Sequence, residues 1–105
     1  MSWVREEAIE LCKLVEIVCV GCGCHVALTG GLLYKDGPRK DCDLLFYRIR
    51  QWNKIDMEKL KTVLLAIGFT DFKGFGWVYK ANYKGKPVDC FFPEEQDGEY
   101  NAEER

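Results

Sequence analysis

Long apolar segments are absent from this sequence of 105 residues. No apolar run approaches the roughly 20 residues that a membrane-spanning helix needs, so we expect no membrane partner. The N-terminal segment also lacks the pattern of a secretory signal peptide, because Glu6, Glu7 and Glu10 interrupt any apolar stretch there. We therefore expect a cytoplasmic protein.

A strong charge bias is also absent, since the formal net charge is −2. This is far from a typical nucleic-acid-binding composition, so a nucleic-acid partner is not indicated. The charge is unevenly distributed: residues 94–105 contain six acidic and one basic residue, which leaves 14 basic and 11 acidic residues in 1–93. We predict a single domain over 1–93 and an acidic, flexible tail over 94–105. The mildly basic body suits a ligand that carries phosphate.

Histidine is represented only by His25, whereas cysteine is abundant, with six residues. Cys12, Cys19, Cys22 and Cys24 cluster near His25, and the cluster has two interpretations, a zinc or iron–sulfur site or buried core residues. We favour core residues, because Cys24 and His25 are adjacent in a predicted strand, where neighbouring side chains point to opposite faces. A disulfide framework is not expected in a cytoplasmic protein. We interpret His25 as a packed residue and not as a catalytic base.

The hydrophobic pattern predicts the order helix, strand, short helix, strand, helix and hairpin. Amphipathic periodicity predicts helices over 3–20 and 57–67, with Ser2 and Asp56 as N-caps. The remaining predictions are a short helix at 32–34 and strands at 25–28, 41–49, 77–83 and 86–92, the last two joined by a turn at Lys84-Gly85. Residues 74–76 are predicted to form a loop. This order predicts an α/β or α+β fold, with a small mixed sheet covered by helices.

Three aspartates carry the strongest chemical signal. Asp41 and Asp43 are two residues apart in a predicted strand, so their carboxylates leave the same face about 7 Å apart. Asp89 lies in another short apolar strand, and all three acids converge if the two strands are neighbours. Taken singly, each acid has an ordinary alternative role, such as turn capping. Mg²⁺ favours one or two carboxylates together with phosphate oxygens and water, so we identify Asp41, Asp43 and Asp89 as candidate catalytic residues and ligands of Mg²⁺ or Mn²⁺.

Four further residues suit a triphosphate. Gly30 and Gly31 follow a predicted strand, and residues without a Cβ let backbone N–H groups approach phosphates closely. Arg39 and Lys40 supply positive charge beside the acids. We therefore identify Gly30, Gly31, Arg39 and Lys40 as candidate nucleotide-binding residues.

The order of these motifs resembles the nucleotidyltransferase superfamily, which has the palm of DNA polymerase beta. Its members show a glycine pair or Gly-Ser after a strand, then Asp-x-Asp, then a third acid on a later strand. The matching segments are Gly30-Gly31, Asp41-Cys42-Asp43 and Val88-Asp89-Cys90. The resemblance covers residues 24–92 and is strongest to minimal and abortive-infection-type nucleotidyltransferases, some of which serve in toxin–antitoxin pairs.

The resemblance implies metal-dependent transfer of a nucleotide monophosphate from a nucleoside triphosphate to an acceptor hydroxyl on a protein, an RNA or a small molecule. It implies that Asp41 and Asp43 bind both metal ions, that Asp89 completes one metal site and helps to deprotonate the nucleophile, and that the glycine pair contacts the triphosphate.

Two features depart from the family pattern. Gly31 occupies the place of the serine that many members use on the phosphates, and residues 1–105 lack the extra helical domain that usually grips the acceptor. A protein partner would then supply the acceptor surface. The alternative is a non-catalytic binding module on the same fold, acting as an antitoxin or as a protein inhibitor.

Overall fold

The computed structural model describes residues 2–75 and 77–94. The elements in these residues are, in order, α1 (Arg5–Cys19), a 3-10 turn (Val20–Cys22), β1 (Cys24–Thr29), α2 (Gly31–Tyr34), β2 (Cys42–Arg48), α3 (Met57–Ala66), β3 (Phe69–Phe75), β4 (Val78–Tyr83) and β5 (Lys86–Phe91). The strands form one sheet in the order β1-β2-β5-β4-β3. Strands β2 and β5 pair in parallel and the other neighbours are antiparallel. This mixed sheet with its helices confirms the predicted α+β class.

Strand β2 shows why the sheet has one buried face and one open face. Cys42, Leu44 and Phe46 are each 0% exposed. Successive side chains of a strand point to opposite faces, so the intervening residues Asp43 and Leu45 define the other side, which we call the open face. Both long helices bury apolar residues in the core against the first face, namely Ala8, Leu11, Val15 and Cys19 of α1 and Leu60 and Leu64 of α3. The predicted two-sided pattern is confirmed for Cys42–Arg48, whereas Asp41 and Ile49 lie just outside the strand.

Helix α1 begins later than predicted, because the residues before it have other partners. Val4 precedes the first turn, and its N–H donates to the Glu7 carboxylate at 3.1 Å. Trp3 is extended and pairs with Arg39 in an isolated antiparallel bridge. The prediction of Ser2 as the N-cap is therefore wrong.

Strand β3 was missed by the hydrophobic pattern, and Gly74 lies in this strand and not in the predicted loop. Asp71 has a φ of 58°, and the pairing register with β4 shifts nearby, which is the sign of a β-bulge. Phe69 and Phe72 stack with ring centroids 6.0 Å apart, although residues three apart would face opposite sides of a regular strand. The bulge thus hides the period-two pattern by which strands are recognised.

Two predicted boundaries are confirmed by their hydrogen bonds and dihedral angles. The Asp56 carboxylate accepts from the Lys59 N–H at 3.1 Å at the start of α3. Lys84 and Gly85 have φ angles of 52° and 81°, which suit a two-residue hairpin turn. None of the helices in the described part of the chain has the length and apolar character to cross a membrane. The predicted tail falls largely on residues 95–105, which lie outside the described residues, so the domain boundary stays a prediction.

Gly23, between α1 and β1, lies so close to the Trp52 ring that a substitution there tests the packing at this end of the sheet. Gly23 has a φ of 93°, and a Cβ added there would overlap the Trp52 ring. We expect Gly23→Ala to lower the free energy of unfolding by about 2–4 kcal/mol, the sum of backbone strain and overpacking. Gly37 is a matched control, since it has a φ of 88° but open space around its Cβ position. Urea denaturation should show a clearly smaller loss for Gly37→Ala, and equal losses would contradict the role of Trp52.

Candidate active site

The parallel pairing of β2 and β5 brings two of the candidate acids side by side. Asp43 and Asp89 are partners in register, so both side chains leave the open face from strands about 4.8 Å apart. Asp41 is half-buried just before β2. Its charge is one of the causes that raise the pKa of Asp43. We call Asp41, Asp43 and Asp89 together the acid site.

The acid site is electrostatically strained. Burial, followed by repulsion from Asp89 and Asp41, raises the pKa of Asp43 to about 6. Lys80 opposes this effect, because its Nζ donates to Asp89 Oδ1 at 3.0 Å. That hydrogen bond is also the main cause that raises the pKa of Lys80. One ammonium therefore faces three carboxyl groups, and the site favours additional positive charge.

The glycine pair closes against the acid site. Gly30 has a φ of 74°, a left-handed conformation that favours glycine, and a Cβ there would overlap the Asp43 carboxylate. A Cβ on Gly31 would lie 3.1 Å from both Cδ and Nε of Arg39. Both positions therefore leave room for a neighbouring side chain of the candidate site, Asp43 in one case and Arg39 in the other.

The side chain of Arg39 has a hydrogen-bond donor that is available to a ligand. Its Nε is buried and has no hydrogen-bond partner among the described residues. A buried donor without a partner costs about 1–3 kcal/mol, and a phosphate oxygen would supply the missing acceptor. Lys40 is exposed beside it.

A metal ion requires a rearrangement of this site. Among the described residues, no group of three or more His, Cys, Asp or Glu side chains is arranged to hold a metal ion, and Lys80 occupies one oxygen of Asp89. The chemistry of the acid site nevertheless fits Mg²⁺ or Mn²⁺, because it offers carboxylate oxygens whose mutual repulsion a cation would relieve. The Lys80 side chain is 56% exposed, so it has room to leave Asp89.

The cysteine cluster lies in the core, away from the open face. Cys19, Cys22 and Cys24 are each 0% exposed, and Cys19 Sγ donates to the Cys24 carbonyl at 3.2 Å. A hydrogen bond with Cys24 and burial raise the pKa of Cys19, and burial raises that of Cys22. Free thiols in these positions fit the interpretation as small core residues.

His25 is less enclosed than the sequence suggested. Its side chain is 40% exposed, its Nδ1 lies 2.6 Å from a carboxylate oxygen of Glu16, and its ring lies 5.5 Å from that of Tyr47. His25 pairs with Tyr47, four residues along β2 from Asp43, which corresponds to about 13 Å. The histidine therefore stands apart from the acid site.

Comparison with solved structures identifies the fold. The chain matches the structure of a cytoplasmic RNA terminal U-transferase with a TM-score of 0.66 and 15% sequence identity, over 87% of this chain and 29% of that chain. The protein therefore has a nucleotidyltransferase-type fold, and the resemblance inferred from the motifs is confirmed at that level. The chain spans less than a third of the U-transferase. Comparisons of the sequence with protein-family models and with curated proteins give no match.

Lys80, which bonds to Asp89, was not predicted from the sequence as part of the site. Trp3, which pairs with Arg39, was not predicted as a neighbour of the site either. A signal for Lys80 was present, because the two-residue turn pairs Tyr83 with Lys86, and counting three residues outward pairs Lys80 with Asp89. Trp3 gave no such signal, since its contacts join segments that are remote in sequence.

The raised pKa of Asp43 predicts a pH-dependent stability in the absence of metal. Folding raises this pKa from 3.8 to about 6, so the folded state binds the extra proton and loses stability as pH rises through this interval. We expect Asp43→Asn to be more stable than wild type at pH 7 by about 1 kcal/mol, a value discounted because the carboxylate is partly exposed. The advantage should vanish below about pH 4.

Urea denaturation in a chelating buffer at pH 4 and pH 7 measures this difference. Asp36→Asn serves as a control for a fully exposed aspartate and should change little at either pH. A loss of stability at pH 7 in Asp43→Asn would contradict the strained acid site.

Proposed function

We propose that this protein is a metal-dependent nucleotidyltransferase that moves a nucleotide monophosphate from a nucleoside triphosphate to an acceptor hydroxyl and releases pyrophosphate. The observation that carries the proposal is the pairing in register of Asp43 and Asp89, at the place where Gly30 closes against Asp43. The fold likeness to a terminal U-transferase supports the same class of reaction. The acceptor is a hydroxyl on a protein, an RNA or a small molecule.

In this proposal the acid site holds Mg²⁺ or Mn²⁺ through Asp41, Asp43 and Asp89. The bound ion would neutralise charge on the phosphates and make the acceptor hydroxyl more acidic. Asp43 must be ionised to act as a ligand, and its raised pKa means that it binds the proton and the cation in competition. Asp89, once released by Lys80, would help to accept the proton of the acceptor hydroxyl.

The triphosphate binds beside the acid site in this proposal. Arg39 donates to a phosphate oxygen from its buried Nε, which has no partner within residues 2–75 and 77–94, and its fixed charge compensates that of the phosphates. Gly30 and Gly31 keep the backbone accessible, and Lys40 adds charge at the exposed side. Lys80 turns from Asp89 to the incoming phosphates and so exchanges one anionic partner for another.

The second candidate function is a non-catalytic binding module, an antitoxin or protein inhibitor on the same fold. The observation that favours it is the Lys80–Asp89 ion pair, which satisfies Asp89 without a metal ion. In both proposals a protein partner supplies surface that these residues do not provide. The two functions differ in whether the charge of the acid site is needed for activity.

Substitution of the acids by asparagine distinguishes these functions. Asp41→Asn and Asp43→Asn keep the side-chain size but remove the charge that a metal ligand needs, so each should reduce transfer from labelled triphosphate by at least about 100-fold. Asp36→Asn should retain full activity. The assay should contain Mg²⁺ or Mn²⁺ and the natural protein partner. A biological activity that survives both substitutions undiminished would overturn the catalytic proposal in favour of the binding module.

The Lys80–Asp89 ion pair predicts how the melting temperature responds to a metal ion. Lys80→Met removes the internal counter-ion, so the metal-free protein should melt at a lower temperature than wild type because the acids repel one another more strongly. Added Mg²⁺ should then raise the melting temperature more than it does in wild type, since a ligand that binds only the native state stabilises it.

Lys73→Met is the matched control, because Lys73 is exposed and pairs with Lys80 from the neighbouring strand. It should follow wild type with and without metal. A Lys80→Met protein whose melting temperature does not respond to millimolar Mg²⁺ or Mn²⁺ would count against a metal at the acid site.

A further inference from the structure

Trp3 lies outside the motifs, yet its backbone is bonded to the segment that leads into the acid site. The side chain is buried, and the whole residue is 2% exposed. Its N–H donates to the Arg39 carbonyl at 2.7 Å, and its carbonyl accepts from the Arg39 N–H at 2.9 Å. These two hydrogen bonds fix the chain two residues before Asp41.

The indole ring of Trp3 is bonded to the other strand of the acid site. Its Nε1 donates to the Pro87 carbonyl at 2.7 Å, and Pro87 is two residues before Asp89 in β5. The ammonium of Lys86 lies 5.1 Å from the indole ring and bonds to both oxygens of Glu7 at 2.8 Å. The ring is therefore held in one position between α1 and β5.

The hydrogen bonds of Trp3 hold a part of the chain that the sheet ladder does not reach. The ladder between β2 and β5 begins at the pair Cys42–Val88, so Asp41 and Arg39 precede its first rung. Trp3 joins the Arg39 segment to Pro87 just before that rung. The Arg39 side chain in turn lies against Gly31, which extends the connection to the glycine pair.

We propose that Trp3 is a positioning residue that sets the placement of Arg39 and Asp41 relative to Asp89. It does so by holding the chain before β2 against β5 through one side-chain and two backbone hydrogen bonds. The placement itself is independent of the proposed function. Only its consequence, the binding of a metal–triphosphate at the acid site, rests on that function.

The test uses Trp3→Phe, which keeps an aromatic ring but lacks the N–H donor to Pro87. The matched control is Phe69→Leu, since Phe69 is 0% exposed in β3, the strand at the far edge of the sheet. Amide hydrogen exchange, measured equally far below each protein's melting temperature, reports local opening. The Arg39 N–H donates to the Trp3 carbonyl, so its exchange reports this contact. We expect exchange at Arg39 to be about tenfold faster in Trp3→Phe and unchanged in Phe69→Leu.

Calorimetric titration with the Mn²⁺ complex of a nucleoside triphosphate is the second measurement. We expect Trp3→Phe to bind about tenfold more weakly than Phe69→Leu, as for other residues that orient metal ligands. Equal exchange in the two variants would overturn the positioning role, whatever the titration shows. If wild type binds no metal–triphosphate, the proposed function fails, while the exchange rates still decide the role of Trp3.

Discussion

Two carboxylates fixed side by side on parallel strands are the constraint on which the rest of this site depends. The backbone ladder holds Asp43 and Asp89 in register, so the two backbones cannot move apart to relieve the repulsion without breaking the sheet. Three physical responses remain: protonation, an internal counter-ion, or a bound cation. The structure shows the second in the hydrogen bond from Lys80, and the raised pKa of Asp43 favours the first. The third is what a nucleotidyltransferase of this fold would add.

The surroundings of the acids follow from that constraint. Both long helices pack on the buried face, which leaves the acids on the side that a ligand can approach. Gly30 gives the Asp43 carboxylate space that any Cβ would fill. The Arg39 backbone is bonded to Trp3 and its side chain lies against Gly31, while its Nε has no hydrogen-bond partner in the part of the chain that the structure describes. A donor held so firmly without an acceptor is preorganised for an anion, because little further ordering is needed when one binds.

Local signals explain how much of this arrangement could be predicted from the sequence. The alternation of 41–49 and the turn at Lys84-Gly85 are encoded in neighbouring residues, so the faces of β2 and the β4–β5 hairpin were predictable. The parallel pairing of β2 with β5 joins segments remote in sequence, so it could not be predicted. The convergence of the three acids could therefore be predicted only on the assumption that these strands are neighbours. Strand β3 could not be predicted for a local reason, since the bulge at Asp71 breaks the alternation of side chains with a period of two. The conformation of Trp3 could not be predicted for a non-local reason. The residues near the start of the chain show a helical pattern, but the bridge from Trp3 to the distant Arg39 determines the extended conformation there.

The Lys80–Asp89 ion pair does not by itself argue against catalysis. The Lys80 side chain is 56% exposed and that of Asp89 is 14% exposed, and pairs with a largely solvated partner contribute about 1 kcal/mol or less. In the proposed function, a divalent cation would carry twice the charge of the ammonium and would bring a triphosphate that offers Lys80 a new anionic partner. That exchange would release one weak interaction and form several charge-assisted ones, so the ion pair is compatible with the proposed binding of a metal–triphosphate.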